Sequence, residues 1–267
     1  MSFEILDNPK ATRVKRAAAL ARKKERIETG RFLVEGPQAV RELLDFAPDL
    51  AEVVYATTSG ESWQLEIDRL ASENDVIIER VTDQVLAAMA ETVQPQGVIA
   101  VARIPEVSIE RVLAKAMMVA VLHEVRDPGN AGTVLRAADA AGANAVIFTG
   151  DSIDPWHPKV VRSTTGSLFH LPVATVKSLE TVVDAARSAG LETIAADVRG
   201  ADLTDARSTL SGPIAWVFGN EARGLNDDER SIIGRSLRLP IYGEAESLNL
   251  ATAASVLLYE TAFAQRP

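Results

Sequence analysis

Three short stretches of this 267-residue chain pair side chains that can do chemistry with turns that can aim them. Residues 123–142 read HEVRDPGNAGTVLRAADAAG, an apolar strand entering a Gly-containing turn and then a helix. Gly129 and Gly132 permit close backbone approach. Their spacing is neither G-x-G-x-x-G nor a Walker A loop, so the usual dinucleotide and phosphate fingerprints do not fit. A helix over 133–141 would put Arg136 in its first turn, where the helix dipole disfavours a cation by about 0.3–1 kcal/mol. A cation kept there either binds an anion or pairs with Asp127 or Asp139. Asn130 is a candidate site residue or a helix-capping Asn. Residues 214–229, IAWVFGNEARGLNDDE, put Gly219 at a strand end, where bare backbone can bond a ligand's polar edge. Glu221 beside it can orient an arginine or a hydroxyl, or stand solvated in a turn. Residues 238–258, RLPIYGEAESLNLATAASVLL, carry Ser247 and Asn249 at a helix start. One of the two suffices as N-cap, worth about 1 kcal/mol, which leaves the other for a different task.

Three strand-to-helix corners with polar tips should converge at the carboxyl edge of one sheet. The chain supplies that sheet. Strand patterns at 117–124, 145–149, 192–197, 214–218 and 238–242 alternate with helix patterns at 133–141, 179–189 and 225–234 and a closing apolar helix. Residues 151–166 read as a polar loop. Strands apolar on both faces predict a mostly parallel sheet with helices on both sides. Upstream, a helix over 10–29 precedes strands at 31–35, 51–56, 76–80 and 97–103 and helices at 37–46, 62–73 and 82–91. Ile104-Pro105-Glu106 reads as a linker, giving domains at 1–106 and 107–267.

Composition removes several classes. Cysteine is absent, so there is no disulfide framework or thiolate metal site. His123, His157 and His170 lack metal-ligand spacing, and no G-x-S-x-G elbow supplies a hydrolase nucleophile. No signal peptide or membrane span is evident, so the expectation is a cytoplasmic protein with no metal and no membrane partner. The net charge is −9, yet residues 1–31 hold nine Lys/Arg against four acids. That arm, with Arg13, Lys15, Arg16, Arg22, Lys23 and Lys24, is either a docking surface for a polyanion or a solvated helix face.

Taken in order, the three corners resemble the SpoU/TrmH family of RNA ribose 2′-O-methyltransferases. Asn130, Gly132, Arg136 and Ala138 match its N-x-G-x-x-x-R-x-A motif. Gly219, Glu221, Gly224 and Leu225 match G-x-E-x-x-G-L, and Pro240, Gly243, Ser247, Leu248 and Asn249 match P-x-x-G-x-x-x-S-L-N. Residues 162–173 resemble its R-x-S-x-G-A segment, with a threonine in place of the serine and Ser167 in place of the alanine. The first hundred residues resemble the small ribosomal-protein-like substrate-binding domain often fused to this family.

The resemblance implies an α/β fold with a trefoil knot, S-adenosylmethionine as methyl donor and a homodimer formed through the knotted domain. It implies methylation of structured RNA, ribosomal before transfer RNA; a non-catalytic RNA-binding protein is the remaining alternative. A nicotinamide-dependent dehydrogenase would need a glycine fingerprint that is missing. By the same resemblance Arg136 activates the ribose hydroxyl while Asn130, Glu221, Ser247 and Asn249 organise the site. Backbone at Gly219, Leu239, Ile241 and Leu248 holds the donor, and Arg162 joins the arm in binding RNA. A neutral guanidine at pH 7 costs about 7 kcal/mol, so a cationic Arg136 that stabilises a developing alkoxide is the cheaper role.

Overall fold

The computed structural model describes residues 5–58 and 60–266, which form two compact units. One unit holds the chain up to Glu106 together with the later segment Trp156–His170; the other holds Val107–Pro155 and Leu171–Pro267.

The first unit begins with α1 (Thr12–Ala19) and α2 (Lys23–Thr29), where the sequence predicts one helix. The break has a visible cause. The Arg26 side chain is buried, and its guanidinium donates to the carbonyls of Leu20 and Ala21, both at 2.8 Å. These are orphan acceptors at the end of α1. Then follow β1 (Arg31–Glu35), α3 (Pro37–Phe46), β2 (Ala51–Ala56), α4 (Ser62–Glu73), β3 (Ile78–Arg80), α5 (Asp83–Met89) and β4 (Val98–Arg103). Thr82 caps α5 as its sequence position predicts, accepting from the Val85 amide at 3.3 Å. The sheet order is β1-β4-β2-β3, antiparallel except for β2–β3.

The second unit contains α6 (Ile109–Leu113), β5 (Met118–His123), α7 (Pro128–Ala140) and β6 (Ala145–Thr149). After β6 the chain leaves for the first unit, where it forms α8 (Pro158–Ser163) inside the stretch read as loop. It returns as β7 (Val173–Val176), a strand with no separate sequence signal, then α9 (Leu179–Ser188), β8 (Glu192–Asp202) and α10 (Leu203–Ala206). β9 (Ile214–Phe218), α11 (Asp227–Ile233), β10 (Arg235–Arg238) and α12 (Leu250–Gln265) complete it. The six strands run β10-β8-β9-β5-β6-β7, all parallel. Alternate residues of the central strands face opposite sides. Val119, Val121, Ile147 and Val217 pack with Leu179, Val182 and Ile233 of α9 and α11. α7 and α12 cover the other face, where the buried Trp216 indole donates to Thr261 Oγ1 at 2.8 Å. Burying a side chain of this size contributes about 2–3 kcal/mol once its N–H is paired.

Among the boundaries that differ from the sequence expectation, those of α7 and β10 bear on the site. α7 starts at Pro128, five residues early, because Asp127 caps it and proline suits the first helical position. Gly129 and Gly132 disguise that first turn, since glycine disfavours a helix by about 1 kcal/mol. Arg136 therefore lies in mid-helix, and the dipole argument for it does not apply. The last strand is Arg235–Arg238 rather than 238–242, so residues 239–249 are irregular backbone free to line a ligand.

Candidate active site

The chain leaves β9 through Gly219, whose backbone lies so close to the returning loop that a Cβ would sit 2.7 Å from Gly224 C and Leu225 Cγ. This tight turn aims Glu221 at the start of α7. Its carboxylate accepts the backbone N–H of Asp127 at 2.9 Å and of Arg126 at 3.1 Å. A carboxylate on unpaired amides at a helix start is stabilised by charge-assisted bonds and by the helix dipole. The Asn130 amide donates to Glu221 Oε1 at 3.4 Å, and the Asn249 amide donates to Asn130 Oδ1 at 3.1 Å. Asn249 Oδ1 meanwhile caps α12, accepting from Ala251 N at 2.9 Å and Thr252 N at 3.3 Å. One side chain does both jobs, which leaves Ser247 free of the capping role. Glu221 and Asn249 are exposed, so a substrate can reach this cluster.

Beside the cluster is a cavity of about 310 Å³, the size of a small-ligand site. Phe218, Leu239, Ile241, Leu248 and Leu257 make its apolar wall, with Gly219, Glu221 and Ser247 at its lining. Every expected donor-binding residue lines it. Its far wall is a departure in β8. Pairing with β10 jumps from Ala195 to Ala201, so the residues between bulge outward and bring Asp197, Val198 and Arg199 to the cavity. Arg199 donates to Asp197 from its own backbone and guanidinium, reaches Asp227 at 3.0 Å and bonds the Leu225 carbonyl. Burial acts to raise the Asp197 pKa, but the Arg199 hydrogen bonds outweigh it and hold the carboxyl below its ordinary range.

A second ionic group braces the other side of the loop. Arg223 grips both oxygens of Glu229, at 2.9 and 2.8 Å, and reaches Glu124 at 2.8 Å. Hydrogen bonds from Arg223 pull the Glu229 pKa down to about 2. Neither the Arg199 nor the Arg223 group is evident from sequence. The one available signal was Asn226-x-x-Glu229, a capping-box pattern that the structure forms.

The remaining expected residues fall elsewhere. Arg136 is exposed on α7 and makes no ion pair among the described residues. It is six residues beyond Asn130, hence about 9 Å along the helix and a third of a turn around it. Within one chain it does not join Glu221 and Asn249. Arg162 lies 3.6 Å from Glu35 within the first unit. Arg13, Arg22 and Lys24 pair with Glu79, Glu25 and Glu28, whereas Lys15, Arg16 and Lys23 are exposed and unpaired among the described residues. Among those residues no acid–histidine group could hold a metal, and no helix is long and apolar enough to cross a membrane.

A parallel sheet with an apolar slot at its carboxyl edge, lined by strand-end backbone, defines a domain that binds a nucleoside-bearing ligand. S-adenosylmethionine fits: the apolar wall suits its purine, backbone at Gly219, Leu239, Ile241 and Leu248 suits its polar edges, and Glu221 suits its positive charge. Residues 117–259 match the model of the SpoU rRNA Methylase family, and residues 11–100 match that of the MRM3-like substrate binding domain. The chain is 33% identical over 257 residues to the 23S rRNA (guanosine(2553)-2′-O)-methyltransferase RlmP of Bacillus subtilis, covering 95% of this chain and 97% of that one. It is 31% identical over 251 residues to the 23S rRNA (uridine(2479)-2′-O)-methyltransferase of Streptomyces viridochromogenes, covering 91% and 86% respectively. The crystal structure of an AdoMet-bound rRNA methyltransferase from Sinorhizobium meliloti superposes with a TM-score of 0.83 at 29% identity, over 97% of each chain. The chain therefore belongs to the SpoU rRNA methylase family and shares its knotted α/β fold. It is a methyltransferase that uses S-adenosylmethionine to modify the ribose 2′-hydroxyl of RNA.

Proposed function

We propose that this enzyme methylates one ribose of ribosomal RNA, in the cytoplasm, as a homodimer. One observation carries the reading of the site: Asn130, Glu221 and Asn249, distant in sequence, are hydrogen-bonded into an exposed cluster beside a cavity lined by the donor-binding residues. Relatives named as 23S rRNA methyltransferases support ribosomal over transfer RNA, and catalysis over an inert fold.

When bound, the donor supplies a methyl group activated by its sulfonium. The protein's task is to orient the ribose hydroxyl and manage its proton. Glu221 is held by backbone amides and cannot swing away, so it and Asn130 offer a fixed frame for a hydroxyl. Ser247 and Asn249 complete that frame. Arg136 comes from the second copy. α12 exposes Val256, Tyr259 and Phe263, an apolar stripe beside α7 that suits a partner chain. Such a pairing turns the exposed Arg136 toward the partner's cluster, where its cation stabilises the ribose oxygen as it takes the methyl group and its proton passes to water at the exposed cluster. The segment 1–106 binds RNA, with Lys15, Arg16 and Lys23 supplying unpaired charge.

Labelled S-adenosylmethionine offered with ribosomal or transfer RNA, followed by ribose mapping, should label one ribosomal nucleotide. Label in transfer RNA alone, or none, overturns the substrate assignment. Arg136→Ala and Glu221→Ala enzymes should each lose at least about a hundredfold in rate, and regain activity when mixed and allowed to exchange subunits. Loss without regain places both residues in one chain.

A further inference from the structure

We infer that His123 is a positioning residue for methyl transfer: it holds Glu229, and through it Arg223, so that the loop 219–225 presents Glu221 in one place. The inference rests on the role given to Glu221 above.

His123 is the last residue of β5 and only 6% exposed. Its Nε2 is 3.0 Å from Glu229 Oε1. That oxygen also accepts from Arg223, and Glu229 Oε2 accepts from Arg223 and from the Asn226 backbone N–H at 2.8 Å. Each carboxylate oxygen thus has two donors, and His123 supplies one of the four. The neighbouring Glu124 takes a left-handed backbone, φ 55°, and is the other anchor. Its carboxylate meets Arg223 at 2.8 Å, and its carbonyl accepts the Asn220 amide at 2.8 Å. Asn220 and Arg223 flank Glu221. The dipeptide at the tip of β5 therefore grips the loop on both sides of the residue that must not move.

The chemistry at position 123 is narrowly specified. Nδ1 is buried with no hydrogen-bond partner, while Nε2 faces a carboxylate. Nε2 therefore carries a proton and donates it to Glu229. The ring lies against Gly150, where a Cβ would stand 2.9 Å from Cε1 and 3.1 Å from Nδ1. A flat ring with a donor at its far end fits this slot. Glutamine places an amide nitrogen near the Nε2 position; asparagine reaches only the Nδ1 position, and leucine offers no donor.

The test uses the full-length enzyme carrying His123→Gln, His123→Asn or His123→Leu. Measured for each are kcat, KM for RNA, donor affinity by calorimetry without RNA, and the thermal midpoint. The expected result is that H123N and H123L lose about tenfold in kcat with KM for RNA within about twofold, while H123Q stays within about threefold of the parent. Glu229→Gln should lose about as much as H123L, and the double variant no more than either. This variant carries the test if H123L does not fold. Overturning results are an H123L kcat equal to the parent's, equal losses in H123Q and H123L, or additive losses in the double variant. A parent enzyme that binds no donor would instead sink the reading of the site itself.

Discussion

The rim of the donor slot and the basic arm, the two surfaces proposed above to meet charged ligands, are built in opposite ways. At the rim every charge is held: Glu221 by two backbone amides, Asp197 by Arg199, Glu229 by Arg223 and His123. In the arm Lys15, Arg16 and Lys23 stand exposed and unpaired among the described residues, and the ion pairs of Arg13, Arg22 and Lys24 are surface pairs worth about 0–1 kcal/mol. The contrast suits the ligands proposed for them. Methyl transfer needs reacting atoms in line, and small displacements are costly in rate. A polyanion is attracted by summed charge that acts over a Debye length of about 8–10 Å, so mobile side chains suffice.

Three perturbations sharpen this comparison. The largest effect is expected from Glu221→Gln, which removes the charge from two charge-assisted bonds. Its kcat/KM should fall by about a hundredfold, with the salt dependence of RNA binding unchanged. A parallel change in salt slope would blur the division between rim and arm. Next, replacing Lys15, Arg16 and Lys23 together with Ala should lower the slope of log affinity against log salt by about 2, leaving donor affinity intact. An unchanged slope would move the RNA surface elsewhere. The smallest effect concerns stability. The Glu229 pKa is depressed from 4.5 to about 2. Its contribution is thus fully present above the unfolded value and is lost as pH falls from about 4.5 toward 2. Allowing for the exposure of Arg223, the wild type should lose on the order of 1–2 kcal/mol more than Glu229→Gln across that interval in urea unfolding. Equal slopes would show that the brace is slack.

Much of the site was legible because its residues sit at strand ends and helix starts, where local chemistry is restrictive. Asn249 had to be a cap or a site residue; it caps α12 and also donates to Asn130. Gly219 precedes Glu221 at a turn too tight for a Cβ. Arg136 was placed wrongly in the first turn of its helix because two glycines masked where α7 begins. His123 read as unremarkable because its partner is 106 residues away. The wall formed by Asp197 and Arg199 was invisible for a similar reason: it exists only because β8 slips its register against β10.

The amino-acid order alone determined the alternation of strands and helices, the parallel sheet, and the residue types carried to its edge, since these depend on periodicity and turns within a few residues. Tertiary structure decided which of those residues touch. Hydrogen bonds between Glu221 and Asn130, or His123 and Glu229, join segments some hundred positions apart. Such contacts form only when the sheet brings their strands side by side, because nothing local rewards the cost of closing so long a loop.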